Sequence, residues 1–212
     1  KFYKTKLGIS KSRNEGINHS KGNFLLFLDD DVTLPINFFN QLDKQLSNKK
    51  INILCYRAIN MPEKKNLLMY PSINKNFTKI DEIFSHISSI SFVIRKHKKI
   101  FFDEKIGLGS KNLFLSGEET DLIINKFKKG ENIFFNKNIY VYHWLDKNIN
   151  FSNNIKKAFF YGCGWSYICL KNKLNYLFII KNLLRNLVGF FFHLIFLNLK
   201  KSIISISSFW GR

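Results

Sequence analysis

The sequence predicts an α/β domain followed by a basic, helical C-terminal segment, and three observations carry that expectation. Phe24-Leu25-Leu26-Phe27-Leu28 is an apolar run of strand length, bounded by Gly22 and by Asp29-Asp30-Asp31, as expected of a buried strand in an α/β sheet. Further apolar runs of this kind alternate with stretches of helical spacing up to about residue 142. All 15 acidic residues lie at or before Asp146, whereas the 66 residues from Lys147 onward carry 10 Lys/Arg and no acid. The two regions are accordingly drawn as 1–146 and 147–212.

Taken in order, residues 10–19 read as a short helix, with Ser10 or Ser12 available as N-cap and Gly22 beyond its end. A strand at 24–28 follows. Pro35 suits the first turn of a helix reaching Leu46, with Phe38, Phe39, Leu42 and Leu46 on its apolar face. Residues 51–58 and 89–94 have strand character. The intervening 60–88 stretch contains Pro62, Pro71 and many Asn and Lys, and reads as loop-rich. Residues 118–129 form a helix with Leu122, Ile123 and Phe127 inward and Gly130 as its stop. Phe134-Phe135 and Ile139-Tyr140-Val141-Tyr142 read as two short strands, the second ending at His143. From Asn154 to Lys171 the pattern is helical, interrupted by Gly162 and Gly164.

The tail from Leu174 to Leu199 is strongly apolar, but Lys181 and Arg185 leave at most 14 uncharged residues, from Asn186 to Leu199. A membrane span needs about 20. At helical spacing, Asn175, Asn182, Asn186, Gly189, His193 and Lys200 fall on one polar stripe opposite a broad apolar face. That pattern suits a helix lying in the membrane interface, with the surrounding Lys and Arg near anionic headgroups. The plainer alternative is a core helix of a larger protein.

The bulk numbers allow one good-sized domain, or one domain plus an appendage. The net charge of +19 comes from 29 Lys and only 5 Arg. Dedicated nucleic-acid surfaces lean on Arg for bidentate contacts, so the composition argues against a nucleic-acid partner. Cys55, Cys163 and Cys169 lack metal-ligand spacing and fit buried or idle thiols in a reducing compartment.

The chemistry concentrates at Asp29-Asp30-Asp31. Ligands of open α/β sheets bind outside the carboxyl ends of strands, and three neighbouring carboxylates repel one another unless a cation neutralises them. Carboxylate oxygens suit Mg²⁺ or Mn²⁺. A solvated acidic turn is the plainer alternative.

Three blocks read together carry a family resemblance: Gly8 to Ile17, containing Arg13-Asn14-Glu15-Gly16; Ser20 to Asn23; and Phe27-Leu28-Asp29-Asp30-Asp31. Phe102-Asp103-Glu104, Ser116-Gly117-Glu118-Glu119-Thr120-Asp121-Leu122, Gly130 and His143 follow in order. This arrangement, from about residue 6 to 170, resembles family 2 of the inverting glycosyltransferases, which have the GT-A fold, a Rossmann-like nucleotide-diphospho-sugar transferase domain. The resemblance implies transfer of a sugar from a nucleotide-diphosphate sugar to a glycan or lipid-linked acceptor, as in polysaccharide biosynthesis. It also implies that the family's first βαβ unit and a second strand, which hold the base, would lie upstream of Lys1, making this an N-terminally truncated enzyme.

Roles carried by the resemblance follow residue by residue. Asp31 would bind a divalent metal, with Asp29 touching the ribose or the metal, Asp30 alongside, and His143 completing the metal shell. Arg13 would position the diphosphate, Glu118 would lie at the donor site, and Asn14 would fix its helix against the sheet. The family's Glu-Asp motif is Glu118-Glu119 here, so Glu119 becomes the base that deprotonates the acceptor, and Asp121 is its rival. Without the resemblance, these acids would simply complement a helix dipole. Gly162-Cys163-Gly164-Trp165 does not match the Gln-x-x-Arg-Trp of processive polysaccharide synthases, which argues against a processive role.

Two other classes fit parts of the pattern. Asp29-x-Asp31-x-Thr33 after an apolar strand also matches the first motif of haloacid-dehalogenase-like phosphohydrolases, with Asp29 as nucleophile; that reading leaves Arg13-Asn14-x-Gly16 unexplained. A non-catalytic basic membrane-surface protein is the third. The expectation taken forward is a metal-assisted glycosyltransferase held peripherally at the cytoplasmic face of a membrane.

Overall fold

The computed structural model describes residues 5–96, 100–144 and 150–212. The chain divides into two compact units. One comprises Arg13–Phe101 and Leu122–Asp146, the other Lys1–Ser12, Phe102–Asp121 and Lys147–Arg212. The boundary expected between 146 and 147 lies outside the described residues.

The first unit holds a mixed seven-stranded sheet. Its strands are β1 (Phe24–Leu26), β2 (Val32–Thr33), β3 (Ile53–Met61), β4 (Lys65–Asn66), β5 (Lys75–Asn76), β6 (Phe92–Arg95) and β7 (Ile133–Trp144). They run in the order β1-β6-β3-β7-β2, with β4 pairing β3 and β5 pairing β7. Only β3 and β7 are parallel. Ile53, Leu54, Cys55 and Tyr56 are all fully buried, which is the signature of a strand covered on both faces.

The helix α2 (Phe38–Leu46) covers part of this sheet. Phe38, Leu42 and Leu46, spaced by four, join Leu54, Tyr56, Ala58, Ile139 and Val141 in one core, and Phe38 meets Tyr56 edge-on at 5.4 Å. Phe39, expected on the same face, is exposed; position 39 lies about 100° round the helix from Phe38.

Three readings of this unit change. The loop-rich 60–88 stretch contains β4, β5 and the helix α3 (Ile80–His86), whose Ile83 is fully buried. Glu82 at its third position accepts from the Lys79 and Thr78 amides and so satisfies the start of this helix. The two short strands at 134–142 are one strand, β7, whose register against β3 shifts between Cys55 and Arg57. The polar Asn136-Lys137-Asn138 stretch, which looked like a break, falls within that irregularity. Finally, the apolar run 24–28 yields only the three-residue β1, paired antiparallel to β6. Leu28 is exposed.

The second unit contains three long helices, α5 (Phe151–Lys171), α6 (Tyr176–Ile195) and α7 (Leu199–Trp210). Gly162 and Gly164 do not interrupt α5. They are close-approach positions: a β-carbon on Gly162 would come 2.6 Å from Ser208 O and 2.9 Å from the Gly211 backbone, and one on Gly164 would strike Ser116 O. The tail expected as one helix is two, broken at Leu197, which adopts φ +53°, and restarted by Asn198, whose side chain accepts from the Lys201 amide.

The polar stripe of α6 faces α7. Asn186 Nδ2 donates to Ser208 Oγ at 3.3 Å, Ser202 Oγ donates to Phe190 O at 3.2 Å, and Arg212 Nη1 donates to Asn182 O at 3.0 Å. Small and polar residues line this seam, and the apolar face remains outward: Leu177, Leu184, Val188, Phe191 and Ile195 are all exposed. By length and composition alone α6 is apolar enough to cross a membrane, with a mean hydropathy of 1.4 despite Lys181 and Arg185.

Candidate functional site

The helix α1 (Ile9–His19) brings Arg13 to the acidic turn. Arg13 Nη2 lies 3.6 Å from Asp29 Oδ1, and its side chain is almost wholly buried, with the guanidinium 5.9 Å from the centre of the Phe27 ring. Ser89 Oγ donates to Asp29 Oδ2 at 3.4 Å. Asp29 is thus held between a cation and a hydroxyl. Asn14, one position on, is buried, in keeping with a packing role. Asp30 is exposed.

Asp31 is placed by the strand that follows it. In β2, Val32 pairs with His143 and Thr33 with Tyr142, the Trp144 amide donates to Asp31 O at 2.9 Å, and Trp144 Nε1 donates to Thr33 Oγ1 at 2.6 Å. This pairing delivers His143 Nε2 to 3.2 Å from Asp31 Oδ2, across more than a hundred residues of sequence. On its other side, His143 Nδ1 is 3.3 Å from Asn60 Oδ1. With the amide oxygen accepting from Nδ1–H, Nε2 faces the carboxylate either as the N–H of an imidazolium or as a lone pair that a cation would share. Asp31 Oδ1 is buried without a hydrogen-bond partner among the described residues.

These groups fit a divalent cation of the magnesium type in one respect. Mg²⁺ is ordinarily held by one or two protein groups plus substrate phosphates rather than by an all-protein cage, and Asp31 with His143 supplies two. They do not form a closed cluster. Among the described residues no three His, Cys, Asp or Glu side chains converge as a metal-holding group, and Asp29 is turned to Arg13.

The second group of candidates belongs to the other unit, at the start of α4 (Glu118–Lys128). Glu118 is buried; Gly107, at φ +103°, leaves room beside it, since a β-carbon there would come 3.2 Å from Glu118 Oε2. Glu119 is partly exposed. Asp121 is only 3% exposed, and both its oxygens accept: Oδ1 from Asn172 Nδ2 at 2.8 Å, Oδ2 from Lys171 Nζ at 2.7 Å. A carboxylate so engaged is poorly placed to take a proton from a substrate hydroxyl. Tyr161 senses this helix start: burial, then the charges of Glu119 and Glu118, raise its hydroxyl above the usual tyrosine value.

Sequence reasoning missed Ser89, Asn60, Tyr161 and Lys171 as neighbours of these acids. None sits in a motif, and each arrives through pairing or packing of distant segments. The three thiols are free, and burial raises the pKa of each, Cys169 to about 12; none is poised as a nucleophile.

Residues 2–103 match the family model described as Glycosyl transferase family 2. Over that span, just under half of the chain, the sequence is similar to family 2 glycosyltransferases. No curated protein matches the sequence. The matched span includes Arg13 and Asp29-Asp30-Asp31, whereas Glu118, Glu119, Asp121 and His143 lie beyond it. With the mixed sheet and the terminal helices, the match supports a GT-A-like α/β domain, glycosyl transfer in general, and a nucleotide-sugar donor with an acceptor. The phosphohydrolase reading has no comparable support, and Asp29 is engaged by Arg13 and Ser89.

Proposed function

We infer that the chain transfers one sugar from a nucleotide-diphosphate sugar to a glycan or lipid-linked acceptor, with inversion at the anomeric carbon. The observation that carries this reading is the Asp31–His143 pair, with an Asp31 oxygen that has no partner among the described residues, in a unit where Arg13 also reaches the acidic turn at 29–31. Asp31 and His143 would hold a divalent cation, Mg²⁺ or Mn²⁺, and that cation would stabilise the charge of the leaving diphosphate. Arg13, kept in place by Asp29, contributes a fixed positive charge for the same diphosphate. Glu119 is assigned as the base. It takes the acceptor hydroxyl proton as that oxygen bonds to the anomeric carbon, and the bond to the diphosphate breaks on the opposite face. Asp121 is not assigned this role because Lys171 and Asn172 occupy it.

The test is a panel of nucleotide-diphosphate sugars (UDP-glucose, UDP-galactose, UDP-N-acetylglucosamine, GDP-mannose) incubated with Mn²⁺, with released nucleoside diphosphate as the readout. Release from at least one donor is expected, together with none from p-nitrophenyl phosphate. Cleavage of the phosphate monoester alone would instead favour the phosphohydrolase reading.

The same reading puts the protein peripherally at the cytoplasmic face of a membrane. Its support is the exposed apolar face of α6 and the ten Lys/Arg, with no acid, after Asp146. Flotation with anionic vesicles should capture the intact chain, weaken with salt and not vanish, while a chain ending near Asn172 should stay unbound. Equal behaviour of the two forms would make the hairpin a partner surface, and resistance to alkaline carbonate would mean that α6 spans.

A further inference from the structure

Lys171 closes the last turn of α5 and sits between two carboxylates from different segments. Its Nζ lies 2.6 Å from Asp103 Oδ2 and 2.7 Å from Asp121 Oδ2. Tyr167, one turn earlier, donates its hydroxyl to Asp103 Oδ2 at 3.0 Å, and Asn172 donates to Asp121 Oδ1 at 2.8 Å. Three neighbouring side chains of one helix end therefore engage both acids, and Asp103 Oδ1 also accepts from the Lys105 amide at 3.0 Å. Burial pulls the Lys171 ammonium down, but its bonds to Asp103 and Asp121 outweigh that and raise it, so it stays charged.

The same helix also holds the N-terminal flank of the turn that opens α4. Gly164 admits Ser116 O, and the Ile168 side chain fills the space left by Gly117, which adopts φ +93°. Within α4 the Asp121 amide donates to Gly117 O at 2.9 Å. Glu119 lies midway between Gly117 and Asp121, and α5 grips both. The contacts converge on the turn that carries Glu119. A bond set serving only to glue α5 down would have no reason to gather at that turn. A buried carboxylate also needs its cation: removing one partner of such a pair is costly because the other charge is left uncompensated.

We propose that Lys171 is a positioning residue for Glu119: it neutralises Asp103 and Asp121 together and so fixes the turn from which the base projects. The C-terminal helices then contribute to catalysis as well as to any membrane contact. This rests on the assignment of Glu119 as the base.

The experiment compares Lys171→Met, Lys171→Arg and Glu119→Gln, using the donor from the UDP-/GDP-sugar panel with the fastest diphosphate release. Hydrogen exchange of residues 116–122 is measured on each without substrate. Lys171→Met should lower kcat by about 10- to 100-fold with donor KM little changed, as expected for a misplaced catalytic group. It should also deprotect residues 116–122 selectively, and Lys171→Arg should restore most of both. Native kcat and native exchange in Lys171→Met would overturn the proposal, as would a loss that tracks only the folded fraction. Should Lys171→Met not fold, Lys171→Met combined with Asp121→Asn and Asp103→Asn removes the cation together with both its carboxylates; a folded triple variant with wild-type kcat overturns the proposal, and one with depressed kcat sustains it. Full turnover in Glu119→Gln would sink the base assignment, whereas lost turnover there beside normal turnover in Lys171→Met would sink the role of Lys171 alone.

Discussion

Asp31→Ala is expected to abolish sugar transfer and metal-dependent nucleotide binding while leaving the fold intact. The side chain is partly exposed and pairs with His143, so little packing is lost. What disappears is the carboxylate whose Oδ1 has no partner among the described residues, and with it half of the two-residue set assigned to the cation. The loss should be at least about 10²- to 10³-fold, the range seen when a group stabilising transition-state charge is removed. His143→Ala should be milder in turnover and should weaken Mn²⁺ binding, followed by the enhancement of water-proton relaxation that bound Mn²⁺ produces. Excess chelator should inactivate the wild-type enzyme, and added Mn²⁺ should restore it. Undiminished turnover in Asp31→Ala, or in excess chelator, would remove the metal from the mechanism.

How much of this was legible in the sequence divides along a physical line. Local signals were read well. Helix α1 was expected at 10–19 and is Ile9–His19; α4 was expected at 118–129 and is Glu118–Lys128. Both have an apolar period and a glycine or polar end that act within a few residues. Long-range pairing was not readable. That β2 would lay Val32 against His143, and so bring Nε2 to Asp31, depends on two residues of strand meeting the end of another strand across the chain. The motif order suggested His143 only through resemblance. The tail shows the same limit in another form: Asn182, Asn186, Gly189 and His193 of the expected stripe share α6, whereas Lys200 falls in α7, and a stripe cannot reveal whether it faces water or a second helix. Asn182, Asn186 and Gly189 meet α7, because Leu197 turns the chain back on itself. Asp121 is the clearest case in the candidate site. Its place in the motif made it a rival to Glu119, and Lys171 and Asn172, some fifty residues on, occupy its two oxygens.

Glu119→Gln is expected to lower the chemical step by roughly 10²- to 10⁴-fold, the contribution of a positioned general base, with nucleotide affinity near normal. The amide keeps the size and the hydrogen-bonding shape of the side chain and removes only the ability to accept a proton. Glu119 is partly exposed at the head of α4, whereas Asp121 is buried with both oxygens accepting. The two variants should therefore fail differently. Asp121→Asn leaves Lys171 with Asp103 but strips its second carboxylate, so it should cost stability, seen as a lower Tm, more than it costs turnover per folded molecule. Glu119→Gln should leave Tm almost unchanged and remove turnover. Single-turnover kinetics with saturating donor separates chemistry from binding. If Asp121→Asn lost the chemical step at native Tm while Glu119→Gln kept it, the proton would have to pass through Asp121. Lys171 would then have to release that carboxylate when acceptor binds.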